Sequence, residues 1–450
     1  MAADRPRKDV PPRHRDGRPG RHPRAADLLP AVAVALALAL APHLAPPAAA
    51  QEAGDELEDR ARAIHEEALV WDGHNDLPWR IRRAADLALE PMGLESRLEE
   101  GHTDLVRLAE SGIDAQFWSV YVPADDPHPT ATLLEEIDLV KRMAARWPAH
   151  LEMAYTADDV VEAAAVGRTA SLLGAEGGHA IGNSIPVLRE LHRAGVRYMT
   201  LTHSGTLAWA DAAGDTAVHG GLTDFGREVV REMNRLGMLV DLSHVTGDVM
   251  RDALEVSRAP VIFSHSSARA LADHPRNVPD DVLRRVDENG GLVMITFVSH
   301  YLTPEAVQID LRGDSLVAAL RDEGVGQDSI RARMRAFREA HPIPPGDVGT
   351  VADHVDHVVE VAGVDHVGVG SDWDGTSILP GGLEDVAGLP NLTEELLRRG
   401  YTETEVKKIL GGNMLRVMRE AEETAARLAG ETPRVERLEG RGSGLEGGQR

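Results

Sequence analysis

The sequence predicts an α/β fold, a closed (β/α)8 TIM barrel, from two observations. Eight short apolar runs alternate with helix-like segments between about residues 68 and 420, and such runs are typical of buried parallel strands. Polar residues that suit metal ions end five of these runs. In a parallel barrel the carboxyl ends of the strands form the edge where functional residues usually lie.

The apolar runs follow one another in regular units, each separated from the next by enough chain for a helix. Strands that alternate with helices imply a parallel sheet, and eight such units fit a closed barrel. The predicted strands are 68–72, 115–121, 170–176, 197–203, 238–244, 260–265, 291–297 and 366–372. The predicted helices between and beside them include 55–67, 133–146, 186–194, 224–236 and 351–362.

One connection is too long for a normal barrel unit. Residues 303–347, between the seventh and eighth strands, contain a charged helical pattern at 329–340. A connection of this length predicts a helical insertion or lid rather than a loop. We assign residues 51–425 to the barrel domain with this insertion. The segment 426–450 ends in a stretch rich in Gly, Arg and Glu, and we expect it to be a disordered tail.

The first fifty residues have the pattern of a secretory signal peptide. An arginine-rich region precedes an apolar run from Leu28 to Ala41, and three alanines precede Gln51. No twin-arginine pair comes before the apolar run, which favours the Sec route. The sequence therefore predicts an exported protein, periplasmic or extracellular, with no stable membrane span once residues 1–50 are removed. The alternative is that the segment is kept as an anchor, although its apolar run is short of the roughly 20 residues of a span.

Composition excludes several functional classes. The net charge of −25 argues against nucleic acid as a partner. The chain has no cysteine, which excludes disulfides, thiolate zinc sites and cysteine nucleophiles. The sequence also lacks a Gly-x-Ser-x-Gly elbow, a P-loop and a His-Glu-x-x-His helix. Gly368-x-Gly370 follows a strand but lacks the third glycine of a dinucleotide site.

The strand ends supply a set of imidazole and carboxylate groups, which suit zinc and neighbouring divalent ions. Residues two apart on an extended strand end point to the same side, so one His–Asp pair can meet one ion. The whole set exceeds one tetrahedral site, and with a bridging glutamate it makes two sites roughly 3.5–4 Å apart, which would hold a hydroxide nucleophile between them. The set is His74 with Asp76, Glu176, His244, His265 and Asp372.

Other polar residues have a simpler structural interpretation. A single strand-end histidine is more often structural than a ligand, and only the set as a whole argues for metal. Asp72 and Asp241 lie within predicted strands, where we expect them to accept hydrogen bonds. His354 and His357 belong to an outer helix, and with His179 we also interpret them as structural.

At these residues the chain resembles the membrane dipeptidase (renal dipeptidase) family, peptidase family M19, of the amidohydrolase superfamily. The similarity spans about residues 68–418. It rests on the stretches Asp-Gly-His-Asn-Asp-Leu-Pro-Trp at 72–79, Glu-Gly-Gly-His at 176–179, Leu-Thr-His at 201–203, Ala-Trp-Ala-Asp at 208–211, Asp-Leu-Ser-His at 241–244, Phe-Ser-His-Ser-Ser at 263–267, Arg-Asn-Val-Pro-Asp-Asp at 276–281 and Gly-Ser-Asp-Trp-Asp-Gly at 370–375.

The resemblance implies a barrel of the metal-dependent hydrolase type with two Zn²⁺ ions per chain. By motif match, His74 and Asp76 would hold one ion and His244 and His265 the other, with Glu176 between them as the bridging ligand. The family also implies small dipeptides as substrates and a homodimer as one form of assembly. The missing cysteines put a disulfide-linked dimer in doubt.

The same motif match implies three further roles. His203 would contact the scissile carbonyl and stabilise the oxyanion. Arg276 would pair with the substrate's terminal carboxylate, which suits a planar guanidinium. Asp372 would orient the bridging hydroxide and carry its proton to the leaving amine. The residues alone do not separate Asp372 from Asp374, and we favour Asp372 because it ends the strand directly.

The sequence therefore predicts an exported zinc dipeptidase that uses a metal-bridging hydroxide. Two alternatives stay open. One is a related amidohydrolase on the same binuclear site, acting on N-acyl amino acids, β-lactams or lactones. The other is a secreted binding protein, or an inactive relative, that keeps only the scaffold. Trp373 and the pair Ser204-Gly205 stand where many family members have other residues, and the insertion at 303–347 could reshape the substrate entrance.

Overall fold

The computed structural model describes residues 48–438, with side chains from residue 56 onward. In this part of the chain all strands belong to one parallel sheet. The strands are β1 Trp71–Asn75, β2 Ala115–Tyr121, β3 Leu151–Met153, β4 Thr169–Glu176, β5 Val196–Thr200, β6 Leu239–Asp241, β7 Val261–Ser266, β8 Leu292–Ile295 and β9 Val367–Val369. The predicted (β/α)8 barrel is confirmed.

Eight of these strands close on themselves. The ladder runs β2-β1-β9-β8-β7-β6-β5-β4, and a further pairing of β2 with β4 completes the cylinder. The ninth strand, β3, was not predicted. It pairs with 169–171 at the beginning of β4, on the edge that β5 occupies from Leu173 onward. Its three residues are too few to show a strand pattern in the sequence.

The helices surround this cylinder and connect its strands. The α-helices are α1 Ala48–Glu67, α2 Leu77–Ala85, α3 Leu105–Glu110, α4 Pro129–Arg146, α5 Ala157–Ala165, α6 Ile185–Ala194, α7 Asp224–Leu236, α8 Gly247–Val256, α9 Asp280–Asn289, α10 Pro304–Asp322, α11 Gln327–Ala340, α12 Val348–Ala362, α13 Pro390–Arg398, α14 Glu403–Lys407 and α15 Asn413–Leu428. The bounds of α7 agree with the prediction, while other predicted helices begin a few residues earlier in the structure than the sequence indicated.

The core has two layers because alternate residues of each strand face opposite sides of the sheet. Phe117 packs against Trp71 and Tyr198 inside the cylinder, with ring centroids 5.7 and 4.8 Å away. Its neighbour Trp118 belongs to the layer between strands and helices. Met414 of α15 joins the inner cluster. Burial on both faces explains why the strands appear in the sequence as continuous apolar runs.

The predicted helical insertion lies between β8 and α12, which are the seventh barrel strand and the last helix before the eighth. It consists of α10 and α11. Gly313 of α10 is buried, and a Cβ there would lie 3.2 Å from the side chain of Met334 and 3.5 Å from Phe337. This glycine therefore lets the two helices pack closely. Asp347 then caps α12 in a capping box with Thr350.

Only part of the predicted chain ends falls within the described residues. Helix α15 continues to Leu428, past the predicted domain boundary at 425, and the backbone amide of Leu438 donates to Asn183 at 3.1 Å. The rest of the expected disordered tail, 439–450, lies outside the described residues, as does most of the predicted signal peptide 1–50. Among the helices that the structure describes, none is both long and apolar enough to cross a membrane.

Because the cylinder is tightly closed, a single methyl group added at Gly370 should lower the stability of the fold. A Cβ at Gly370 would lie 2.0 Å from the backbone oxygen of Ser264, so the strands must move apart in Gly370→Ala. We expect the free energy of unfolding to fall by about 1–3 kcal/mol, measured by urea denaturation. In the control Gly214→Ala the nearest atom is 3.5 Å away, and the change should stay within about 0.5 kcal/mol. Equal stability of the two variants would contradict this account.

Candidate metal centre

Glu176, the last residue of β4, is the centre of the polar cluster at the carboxyl end of the barrel. Its Oε1 lies 3.0 Å from His244 Nε2 and 3.5 Å from His265 Nε2. Its Oε2 lies 3.6 Å from His74 Nε2. The side chain is 5% exposed. The two oxygens of this one carboxylate thus face different histidines.

Two groups of donor atoms result from this arrangement. On one side, His74 Nε2 lies 3.4 Å from Asp76 Oδ2, and Asp372 joins these two residues within 4.8 Å. On the other side, the Nε2 atoms of His244 and His265 are 2.8 Å apart. Five strands therefore bring together all six residues of the predicted metal set.

The backbone explains how two of these residues reach the centre. His244 and Asp372 have left-handed φ angles of 68° each, which non-glycine residues adopt at a cost of about 1–3 kcal/mol and mostly at functional sites. The ladders of β6 and β9 therefore end three residues earlier, at Asp241 and Val369. The predicted strands 238–244 and 366–372 were too long for this reason. His74 and His265, by contrast, lie within their strands.

A hydroxyl group next to Nδ1 orients the ring of His74 and that of His265. His74 Nδ1 is 2.8 Å from the hydroxyl of Tyr198, and His265 Nδ1 is 2.8 Å from Ser264 Oγ. Their Nε2 atoms are thereby left to face the site. Tyr198 reaches His74 across the cylinder because Gly174 has no side chain: a Cβ there would lie 2.0 Å from the tyrosine ring. Such partners fix the ring orientation of metal-binding histidines.

Asp72 and Asp241 support the strand ends, as predicted. Asp241 accepts hydrogen bonds from Thr200 Oγ1 and Ser264 Oγ, both at 2.6 Å. Asp72 accepts from the backbone amide of Ser371 at 2.8 Å and from its hydroxyl at 2.7 Å. Burial raises the pKa of Asp72 to about 6, although the hydrogen bonds from Ser371 oppose this shift. These two aspartates connect neighbouring strands and do not join the donor groups.

The electrostatics of the cluster favour a bound cation. Burial opposes ionisation of Glu176, but His74 and His203 hold its pKa well below the usual range. Burial and the nearby carboxylate of Asp76 raise the pKa of Asp372 well above its ordinary value. The carboxylates of Asp372 and Asp76 both lie against Gly375, where a Cβ would come within 2.1 Å of an Asp372 oxygen and 2.2 Å of an Asp76 oxygen. Such crowding of buried carboxylates is costly unless positive charge is placed between them.

The donor set fits divalent metal ions. His74 Nε2 is buried without a hydrogen-bond partner. Burial holds the pKa values of His244 and His265 well below normal, with further contributions from Arg276 and, for His265, from His74; this direction favours the neutral imidazole, the form that binds metal. Nitrogen and carboxylate donors in this proportion suit zinc or a similar ion.

His203 and Arg276, the two other residues of the predicted site, lie beside this cluster. His203 lies at the rim, with its ring 4.3 Å from that of His244 and 4.7 Å from that of Tyr121, and its side chain is 19% exposed. Arg276 is 5% exposed. It donates from Nη2 to the backbone oxygen of His265 at 3.2 Å, and its Nε is buried without a partner.

Three tyrosines near the centre were missed by the sequence analysis. Tyr198 orients His74, Tyr121 lies against His203, and the ring of Tyr301 has the guanidinium of Arg276 above it at 5.5 Å. Burial raises the pKa of Tyr301 to about 12. Tyr121 ends a predicted strand and could have been found by the same rule that found the histidines. The other two carry no such signal.

Asp372 and Asp374 separate clearly in the structure. Asp372 faces the donor atoms of His74 and Asp76. Asp374 Oδ1 instead accepts from the backbone amide of His102 at 2.8 Å and from Arg80 Nη1 at 3.3 Å. Asp374 thus connects the segment before α3 to the chain that follows β9.

The histidines interpreted as structural lie away from the donor groups. His354 accepts from the amide of Ala268 at 3.1 Å, and its other ring nitrogen is 2.9 Å from the backbone oxygen of Leu302. His357 pairs with Asp280 at 2.8 Å. His179 Nε2 is 3.0 Å from the backbone oxygen of Pro123.

The fold and the donor set define a barrel metallohydrolase, and the comparisons with known proteins identify its family. Residues 58–432 match the model of the membrane dipeptidase family, peptidase family M19. The chain is 39% identical over 384 residues to Dipeptidase 3 of Rattus norvegicus, covering 84% of this chain and 70% of that protein. The chain therefore belongs to the membrane dipeptidase family and is a metallopeptidase that acts as a dipeptidase.

Solved structures agree on the fold. The probable dipeptidase PvdM from Pseudomonas aeruginosa superposes with a TM-score of 0.72 at 23% identity, covering 82% of this chain and all of that one (100%). A metallo peptidase from Rhodobacter sphaeroides, bound to a phosphinate mimic of the dipeptide L-Ala-D-Ala, gives a TM-score of 0.64 at 24% identity, covering 79% and 99%.

The hydrogen bond behind His74 gives a prediction about metal affinity. In Tyr198→Phe the ring stays in place but loses the hydroxyl that orients His74. We expect the affinity for a divalent ion to fall by about 10- to 100-fold, measured by competition with a chromogenic chelator. The control Tyr155→Phe alters a tyrosine whose ring packs on Arg197 and should keep wild-type affinity. Equal affinity of both variants would show that the hydroxyl does not support the site.

Proposed function

We propose that this chain is an exported zinc dipeptidase with two Zn²⁺ ions, which cleaves small dipeptides that carry a free carboxylate. Bound between the two donor groups, the ions would supply a water-derived hydroxide at neutral pH and polarise the scissile carbonyl. His74 and Asp76 would hold one ion, His244 and His265 the other, and Glu176 both. The single observation that supports this assignment best is that one Glu176 oxygen lies near His74 and the other near His244.

Arg276 is proposed to bind the terminal carboxylate of the substrate. Within residues 56–438 its guanidinium takes part in no salt bridge, although the residue is 5% exposed. A buried charge without a counter-ion costs several kcal/mol, and a substrate carboxylate would supply the missing partner. The unpartnered Nε offers one of the N–H groups for a bidentate pair.

His203 and Asp372 are proposed to act on the reacting groups. His203 lies on the Arg276 side of Glu176, with its Nε2 3.7 Å from Oε1, and its exposed edge can donate to the carbonyl oxygen as negative charge develops there. Asp372 lies on the opposite side, against Asp76. Its carboxylate can orient the attacking water and pass a proton to the leaving amine.

The substrate class follows from the distance between these groups and from one relative. Arg276 donates to the backbone of His265, itself a proposed ligand, so the carboxylate would lie close to the scissile bond. This geometry favours dipeptides over longer peptides. The bound dipeptide mimic of the Rhodobacter sphaeroides protein supports the same class. Export by residues 1–50 and assembly as a homodimer stay predictions.

The role of Arg276 can be tested by kinetics. Because Arg276→Ala removes the carboxylate partner and leaves the donor groups intact, we expect KM for dipeptides to rise by about 10- to 100-fold, as for loss of a charged hydrogen bond. Cleavage of the matching dipeptide amides should change little. Unchanged KM for the free dipeptides would contradict the assignment.

The bridging role of Glu176 can be tested by counting metal. In Glu176→Gln one oxygen is replaced by an amide that binds zinc poorly, so we expect both metal content and dipeptide hydrolysis to be lost. In the wild type, a chelator should abolish hydrolysis and Zn²⁺ should restore it. Elemental analysis and a substrate panel that includes N-acyl amino acids are the measurements. Two ions per chain in the variant would contradict a bridge, and faster turnover of N-acyl amino acids would point to a deacylase.

A further inference from the structure

We propose that the helical insertion positions the arginine that binds the substrate, and that Asp310 of α10 does this through His274. Asp310 and His274 are positioning residues in this proposal and do not touch the substrate. The proposal rests on the proposed role of Arg276. It gives the insertion a function in the selection of substrates with a free carboxylate.

His274 connects directly to the backbone of Arg276. Its Nδ1 accepts from the Arg276 amide at 3.1 Å, so the ring proton is on Nε2. The side chain is 7% exposed, and Nε2 has no hydrogen-bond partner of its own. Asp310 Oδ2 lies 3.4 Å from this Nε2. The buried N–H therefore faces a carboxylate that comes from the insertion.

Asp310 reaches two parts of the barrel edge at once. Besides His274 it approaches His300, whose Nε2 is 3.9 Å from Oδ1. His274 precedes α9, whereas His300 follows β8. The carboxylate of α10 thus lies between these two segments, which Asn277 also joins by donating from Nδ2 to the backbone oxygen of Tyr301 at 2.8 Å.

The rings extend this connection to the guanidinium. His274 stacks on Tyr301, with centroids 4.5 Å apart and an interplanar angle of 26°. The guanidinium of Arg276 lies 5.5 Å from the centre of the same tyrosine ring. Its hydrogen bonds to His265 and Ser266, at 3.2 and 3.5 Å, are long. The orientation of Arg276 therefore depends on its backbone and on Tyr301, and His274 contacts both.

The test is Asp310→Asn, which keeps the shape of the side chain and removes its charge. We expect KM for free dipeptides to rise by about three- to tenfold, with kcat within about twofold of the wild type and no change for dipeptide amides. Asp310→Glu keeps the charge and should restore most of the affinity. The matched control Asp322→Asn changes an exposed aspartate in the last turn of the same helix and should leave KM unchanged.

A double-mutant cycle distinguishes positioning from a general structural effect. In an Arg276→Lys background, Asp310→Asn should raise KM no further, since the group that it positions is already altered. An equal rise of KM in both backgrounds would overturn the proposal, as would a fall in Tm and kcat with KM unchanged. If Arg276→Lys alone leaves KM unchanged, the proposed role of Arg276 fails as well. If it raises KM and Asp310→Asn does not, only the present inference is overturned.

Discussion

The structure depends on the concentration of negative charge at the carboxyl end of the barrel. Asp76 and Asp372 lie within 4.8 Å of each other beside His74, and Glu176 lies next to the same histidine; Asp76 and Glu176 are buried. Buried carboxylates at such distances raise one another's pKa and destabilise the fold unless cations or hydrogen-bond donors compensate. The histidines of this edge provide part of that compensation, and the metal cofactor that the family implies would add to it. Site and fold are therefore stabilised by the same contacts.

The barrel stabilises this arrangement through hydrogen bonds between its strand ends, behind the residues that face the site. Asp241 joins β5 to β7 by hydrogen bonds, and Asp72 joins β1 to the chain after β9. These bonds hold in place the ends of the strands that contain His265 and His74. The surroundings of Arg276 are built differently. Arg276 has few polar contacts of its own, and its guanidinium lies 5.5 Å from the centre of the Tyr301 ring.

Much of this could be predicted from the sequence because parallel strands that are buried on both faces leave a continuous apolar pattern. The polar residue that ends such a run is expected to lie at the functional edge, and the residues His74, Glu176 and His265, which this rule selected, lie together in the structure. The rule failed where a strand is very short, and where a residue matters because of a neighbour on another strand. Three residues of β3 show no pattern. Tyr198 lies in mid-strand, and its importance arises from Gly174 of the neighbouring strand, which leaves space for its ring.

The sequence by itself determined the order of the strands, the ligand types and the long connection before the last barrel unit, because periodicity and residue chemistry are local properties. Only the tertiary structure decided which atoms meet. It separated Asp372, which faces His74 and Asp76, from Asp374, which accepts a hydrogen bond from the backbone amide of His102. It also brought Asp310 of the insertion to His274. Such pairings depend on how distant segments pack in space, and the linear order of residues does not specify those distances.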